Sequence, residues 1–312
     1  MMKPIRILVI AGPTAVGKTA FAIEAAKQFA GEIVSCDSMQ IYRYMDIGSA
    51  KPTKEELAAA RHHLVDVIDP RDEFSVAGYQ RMAMQAIRDI DSRGMLPIVC
   101  GGTGLYLNSL LYEMDFGEGP KDPALRAELE ETARREGSAA LHDMLLRKDP
   151  KAAGRIHPNN TKKLIRALER LELGETAVHE FSSIRTPNAA LDPLLIGLTR
   201  DRQELYERID RRVDQLIGAG LADEVRSLQE MGLSEDNMSM LGIGYKEMFE
   251  FLRGGCTLEE AADRIRRNTR HYAKRQLTWF RRYDTMEWLN ISDYPSEEAA
   301  LEVLIRWLKE KL

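Results

Sequence analysis

The chain has 312 residues, 44% hydrophobic and 30% charged, the balance of a globular protein rather than a disordered or fibrous one. A net charge of −5 argues against a uniformly basic nucleic-acid binder, and three widely spaced cysteines, Cys36, Cys100 and Cys256, point to neither a disulfide framework nor a zinc site. No apolar run approaches the ~20 residues of a membrane span and no signal-peptide core is visible, so a cytoplasmic protein built of a core domain plus an addition is expected, with no membrane partner.

The apolar run Ile5 to Ala11 reads as a strand, and Ala20 to Ala30 as a helix. Between them lies Gly12-Pro13-Thr14-Ala15-Val16-Gly17-Lys18-Thr19, the G-x-x-x-x-G-K-[ST] phosphate loop in its required strand-to-helix setting. The glycines let successive N–H groups turn toward an anion, Lys18 adds a charge, and Thr19 offers a hydroxyl suited to Mg²⁺. The loop predicts a site for a di- or triphosphate without saying whether a phosphoryl group moves.

Glu32 to Asp37 is a second short strand. In a doubly wound sheet its end opens onto the same crevice as the loop, so Asp37 is a candidate general base, a metal-water ligand, or a cap for its own turn. Lys54 to Ala60 predicts a short helix, and Leu64 to Ile68 a buried strand or extended segment. The neighbouring His62-His63 pair lacks partner ligands and is not a metal site. Ser75 to Arg93 has helical periodicity, and Leu96 to Cys100 is a strand running into Gly101-Gly102-Thr103-Gly104 before the helix Leu105 to Tyr112. That second glycine-rich turn is either a close ligand approach, with Thr103 offering its hydroxyl, or simply a tight turn.

From Asp115 the texture becomes charged and helix-forming, with Lys162, Lys163, Arg166 and Arg170 on one helix. Residues 118–191 are therefore expected to be a helical insertion in an α/β core formed by 1–117 and 192–312. The core resumes with the strand Leu194 to Thr199 and the helix Arg202 to Gly218. Thr257 and Glu260 make a capping box, so a helix should begin at Leu258. On it, Arg264, Arg266, Arg267, Arg270, Lys274, Arg275, Arg281 and Arg282 fall on one half of the circumference, with no acidic residue from 264 to 282. Ile265, Tyr272, Trp279 and Phe280 fall on the other half, as core anchors. A solvated helix face usually mixes signs, so this one predicts a polyanion partner. Met286 to Ile291 predicts a last strand and Glu297 to Leu312 a terminal helix.

A GTPase would carry N-K-x-D, which is absent; a motor would show an apolar strand ending in Asp, whereas Leu96 to Cys100 ends in Gly-Gly-Thr-Gly, although the strand Glu32 to Asp37 does supply Asp37. A nucleoside or nucleotide kinase with a helical lid fits the pattern. The segments GPTAVGKT, DSMQIYRYMDIGSAKP, GGTGLY, RIHPNNTKKLIRALE, GIGYKE and AKRQLTWFRR, in order from Gly12 to about Trp288, resemble those of the bacterial tRNA dimethylallyltransferases. The resemblance implies a kinase-like parallel sheet flanked by helices and transfer of a dimethylallyl group from dimethylallyl diphosphate to N6 of the adenosine 3′ of the anticodon, with diphosphate leaving. It implies Asp37 as base, Gly12 to Thr19 around the diphosphate with Thr14 at the bridging region, and Arg212 as a clamp. Ser38, Met39 and Gln40 would line an extruded adenine, with Thr103 where the two substrate channels meet. Arg126, Lys162, Lys163 and Arg166, the stretch Leu241 to Lys246 with Gly244, Tyr245 and Lys246, and Arg270, Lys274 and Arg275 would hold the anticodon stem-loop. A monomer is expected.

Overall fold

The computed structural model describes residues 3–114, 122–172 and 186–312. Residues of β1 (Ile5–Ala11) alternate between two apolar clusters: Ile7, Val9 and Ala11 face one way, Leu8 and Ile10 the other. A strand buried on both faces must lie centrally in a parallel sheet, and it does. The chain continues through α1 (Lys18–Gln28), β2 (Gly31–Cys36), α2 (Lys54–Ala59), β3 (His62–His63), α3 (Val76–Ser92), β4 (Leu96–Gly101) and α4 (Gly104–Leu111). A second unit, Glu113–Thr186, holds α5 (Pro123–Glu136), α6 (Ser138–Lys148), α7 (Pro150–Ala153) and α8 (Thr161–Glu172). The first unit resumes with β5 (Leu191–Thr199), α9 (Arg202–Gly218), α10 (Leu221–Glu230), α11 (Tyr245–Leu252), α12 (Leu258–Phe280), β6 (Glu287–Asn290) and α13 (Glu297–Lys311).

The sheet has six parallel strands in the order β3-β2-β4-β1-β5-β6. β1 thus lies where the winding reverses, between β4 and β5, and the crevice beyond its C-terminal end is where such sheets take ligands. α3 and the end of α12, with Phe280 and Tyr283, cover one face; α1, α9 and α13 cover the other. A further apolar cluster joins Ile41, Tyr42 and Met45, just after β2, to α9–α12 through Val213, Val225, Met248 and Ile265. No helix among the described residues is long and apolar enough to cross a membrane.

The expectation of a buried strand or extended segment at Leu64 to Ile68 needs correction. Leu64 to Ile68 is not a strand: Leu64 and Asp66 take φ of 63° and 58°, left-handed values that break a pleat, and only Ile68 keeps a bridge, to Tyr42. The pairing strand is His62–His63, whose rings serve the scaffold. His63 Nε2 lies 2.6 Å from Glu32 Oε2, and His62 Nδ1 lies 2.8 Å from the Ala60 carbonyl. Arg93 also binds Glu32, and these hydrogen bonds hold that carboxylate down at about 2.

In the second unit, Asp122 caps α5 by accepting the N–H groups of Ala124 and Leu125, and Gly137 at φ 84° separates α5 from α6. Leu129, Leu141, Leu145, Leu164 and Leu168 form its core. Of the expected insertion bounds, position 118 lies outside the described residues, and Leu191 is the first residue of β5, so it belongs to the sheet.

Candidate active site

Gly12 to Thr19 links β1 to α1, and α1 begins two residues earlier than the periodicity predicted, at Lys18. Gly17 sits at φ 110°, a conformation side chains rarely tolerate, and an added Cβ on Gly12 would come within 2.6 Å of the Leu198 carbonyl. A loop that turns N–H groups inward leaves carbonyls outward, and here four of them, on Gly12, Pro13, Ala15 and Val16, have side-chain donors. Lys18 Nζ donates to Gly12 O at 3.1 Å and Pro13 O at 2.8 Å. Arg208 Nε donates to Ala15 O at 2.9 Å and Arg200 Nε to Val16 O at 3.0 Å. Glu297 braces both arginines, 2.7 Å from Arg208 Nη1 and 2.8 Å from Arg200 Nη2, the latter an ion pair rather than a directed hydrogen bond.

Asp37 follows β2 and shares with the loop a cavity of about 990 Å³. Its Oδ1 accepts the Met39 N–H at 2.9 Å, so the capping role is real; no hydrogen bond among the described residues engages Oδ2. Of the expected site residues, the cavity gathers Thr14, Ala15, Gly17, Lys18, Thr19, Asp37, Ser38, Met39, Gln40, Arg212, Gly244 and Arg275. Burial pushes the Lys18 ammonium down to about 8, with Asp37 opposing and Arg212 adding to the shift. Burial likewise lowers Arg212, against the pull of Asp37.

Gly12, Pro13 and Val16 are buried beneath the cradle. Thr103 does not line the cavity; its Oγ1 accepts the Ser38 N–H at 3.0 Å and so holds the turn after Asp37. The glycines around it are explained by packing: a Cβ on Gly101 would overlap the Cys36 carbonyl, one on Gly102 the Gln276 amide, and one on Gly104 the Trp279 ring. Tyr245 is fully buried, its hydroxyl donating to Glu224 at 2.9 Å, so its side chain belongs to the scaffold and not to a contact surface. Glu224 also accepts the N–H groups of Asp46, Ile47 and Gly48, which fixes the cavity wall at Gly48 to Ala50. Leu241 is exposed at the cavity, and Lys246 is exposed with Glu247 at 3.8 Å.

The cations of α12 and the two residues after it divide into three sets. Arg264, Arg266 and Arg270 pair with Glu250, with Asp214 and Asp263, and with Asp210, so the expectation of a face wholly without carboxylates fails: partners come from α9, from α11 and, for Asp263, from the preceding turn of α12. Arg267, Lys274 and Arg281 are exposed without an ion pair among the described residues, and their i, i+7, i+14 spacing makes one stripe. Arg282 lies over Trp279, and Arg275 over Tyr272, at 5.2 and 5.7 Å to the ring centres. Tyr272 is not a simple core anchor: it lines the cavity. In the helical unit, Lys162 and Lys163 are exposed on α8 beside Arg166, whereas Arg126 makes a two-point pair with Glu169 at 2.8 and 2.9 Å.

Sequence reasoning missed Arg208, Arg200, Glu297 and Gln276. Arg208 had a signal, standing one helical turn before Arg212 on α9. Gln276 did too, one turn after Tyr272 on the face of α12 turned away from the stripe. Arg200 and Glu297 had none, because only the fold brings them to the loop.

Residues 40–283 match the sequence model of the family described as IPP transferase. The chain is 49% identical over 304 residues to the tRNA dimethylallyltransferase of Alkaliphilus oremlandii, covering 97% of each chain. It is 45% identical over 311 residues to that of Clostridioides difficile, covering 100% of each. Among solved structures, the tRNA isopentenylpyrophosphate transferase of Bacillus halodurans superposes with a TM-score of 0.73 at 44% identity, with 98% of each chain covered. A eukaryotic dimethylallyltransferase acting on tRNA gives 0.81 at 27% identity, covering 99% of this chain and 80% of that one.

The lowered Lys18 value yields a pH test. Below about 8 the ammonium is charged and attracts an anion in the loop; above it that attraction fades. The ratio of inorganic diphosphate affinities, wild type over Lys18→Met, is expected to be largest below pH 8 and to shrink above it, because the ligand's own titration cancels in the ratio. Calorimetry across the range checks this, and a ratio constant to beyond pH 9.5 would contradict it.

Proposed function

The chain belongs to the IPP transferase family and has tRNA dimethylallyltransferase activity, and we propose how its residues divide that work. The observation that carries the reading is that one cavity holds the phosphate loop, Lys18 and Arg212 together with an Asp37 whose Oδ1 is pinned and whose Oδ2 is unengaged. Dimethylallyl diphosphate seats its diphosphate in the loop Gly12 to Thr19, on the N–H groups of Ala15 to Thr19, with the Thr14 side chain toward the bridging oxygen. The adenosine 3′ of the anticodon is turned out of its stack toward Ser38, Met39 and Gln40.

As N6 attacks C1, the C1–O bond breaks, its electron pair leaves with the diphosphate, and N6 yields a proton to Asp37 Oδ2. Negative charge grows on the leaving group, in the cavity that Lys18 and Arg212 line with the loop, so their stabilisation is greater in the transition state than in the ground state. Thr103 acts through Ser38, keeping the turn after Asp37 in place. The Thr19 hydroxyl and the Asp37 carboxylate present hard oxygens to the same cavity, and the described residues hold no cluster of three or more His, Cys, Asp or Glu. That donor set fits Mg²⁺ taken mainly through phosphate and water, where it would neutralise leaving-group charge.

The RNA follows the Arg267, Lys274 and Arg281 stripe, with Arg275 at the cavity; on the helical unit, taken by itself, Lys162, Lys163 and Arg166 offer cations for phosphate. Arg270 and Arg126, already paired, shape those surfaces. The enzyme is taken to act as a monomer in the cytoplasm, where the thiols of Cys36, Cys100 and Cys256 would stay reduced.

Asp37→Asn keeps the cap and removes the base, so single-turnover transfer at saturating tRNA is expected to fall ~10²–10⁴-fold with both substrates still bound. A rate within a few-fold of wild type would reduce Asp37 to its capping role. For the RNA, Arg267→Glu with Lys274→Glu is expected to raise the tRNA Kd and flatten log K against log salt by roughly 0.7–0.9 per lost phosphate contact. Arg270→Gln is expected to leave that slope nearly unchanged; the opposite ranking would displace the RNA from the stripe.

A further inference from the structure

We infer that Gln276 is a positioning residue for the diphosphate site, a reading that rests on the prenyl transfer proposed above. Its side chain is 5% exposed and makes two directed hydrogen bonds across the crevice. Oε1 accepts the Thr14 N–H at 2.9 Å, and Nε2 donates to the Gly102 carbonyl at 2.9 Å. One amide therefore ties the phosphate loop after β1 to the turn after β4. The other contacts on the loop described here engage its carbonyls, so Gln276 is set apart by holding an N–H of the residue placed at the bridging oxygen.

The surroundings are built for that amide. Gly102 has no side chain because a Cβ there would overlap Nε2. Gln276 extends the inner face of α12 that brings Ile265, Thr269 and Tyr272 to the cavity. Neutral amide chemistry is required at this point: a carboxylate would still accept from Thr14 but could not donate to Gly102, and would place a like charge beside the diphosphate. The amide restrains the Thr14 backbone, so the oxygen that becomes the leaving group meets a loop already in position.

Gln276→Met keeps the length and packing of the side chain and removes both hydrogen bonds. It is expected to raise the KM for dimethylallyl diphosphate and the Kd for inorganic diphosphate about tenfold, and to lower kcat, with the tRNA Kd unchanged. Gln276→Glu is expected to be worse than Met for both diphosphate compounds, which loss of packing alone would not produce. Gly102→Ala pushes on the same amide from the other side, so it should reproduce the Met phenotype, and the double variant should be no worse than either single one. Diphosphate affinity within twofold of wild type in Gln276→Met, full additivity with Gly102→Ala, or a parallel loss of tRNA affinity would each overturn the inference. Inorganic diphosphate binding is measured without the reaction, so wild-type protein that binds it but transfers no prenyl group would refute the prenyl-transfer reading and leave Gln276 tested on its own.

Discussion

A backbone loop can aim its N–H groups at an anion only if the carbonyls on its outer side find other donors. In this chain that constraint recruits Lys18 for Gly12 and Pro13, Arg208 for Ala15 and Arg200 for Val16. The donors arrive from different parts of the chain, since Arg208 sits on α9 and Arg200 just ahead of it, while Glu297 at the start of α13 holds both. The late helices are therefore part of the phosphate site rather than additions to it. The cost is a buried cluster of cations near the cavity, which burial answers by lowering Lys18 and Arg212 and which Asp37 and Glu297 offset.

What could be read from the sequence was what local periodicity and motif spacing encode. The phosphate loop, the capping box at Thr257 and the helix Arg202–Gly218 depend on residues a few positions apart, and they lie where those residues place them. What could not be read was pairing through space. Arg270 looked unaccompanied because its partner Asp210 lies on another helix, and Arg126 looked available because Glu169 lies on α8. The resemblance places Tyr245 among residues that would hold the stem-loop, yet its side chain is buried, its hydroxyl bound to the same Glu224 that accepts the N–H groups of Asp46, Ile47 and Gly48. Leu64 is apolar and follows a strand, but its left-handed backbone follows from the turn it must close, which propensity does not register.

α12 shows how one helix serves two chemistries. Its inner face carries Tyr272 and Gln276 into the cavity; its outer face carries Arg267, Lys274 and Arg281 to solvent. Between them the paired arginines clamp the helix to α9 and α11, so the exposed cations stand on a fixed support. Exposed charges on a rigid helix can follow a phosphate backbone without contributing base identity, which leaves recognition of the adenine to the pocket at Ser38 to Gln40.

A phosphate loop used as a cradle for a leaving group, with no nucleotide hydrolysed, is the central claim. Its most direct measurement is an incubation of the protein with Mg²⁺, unmodified tRNA and dimethylallyl diphosphate in the absence of any nucleoside triphosphate. Released diphosphate is quantified, and the digested nucleosides are examined by mass spectrometry. The account predicts an adenosine heavier by one C₅H₈ unit and an equal amount of diphosphate. No such nucleoside, with ATP instead consumed against a nucleoside or nucleotide when supplied, would contradict it.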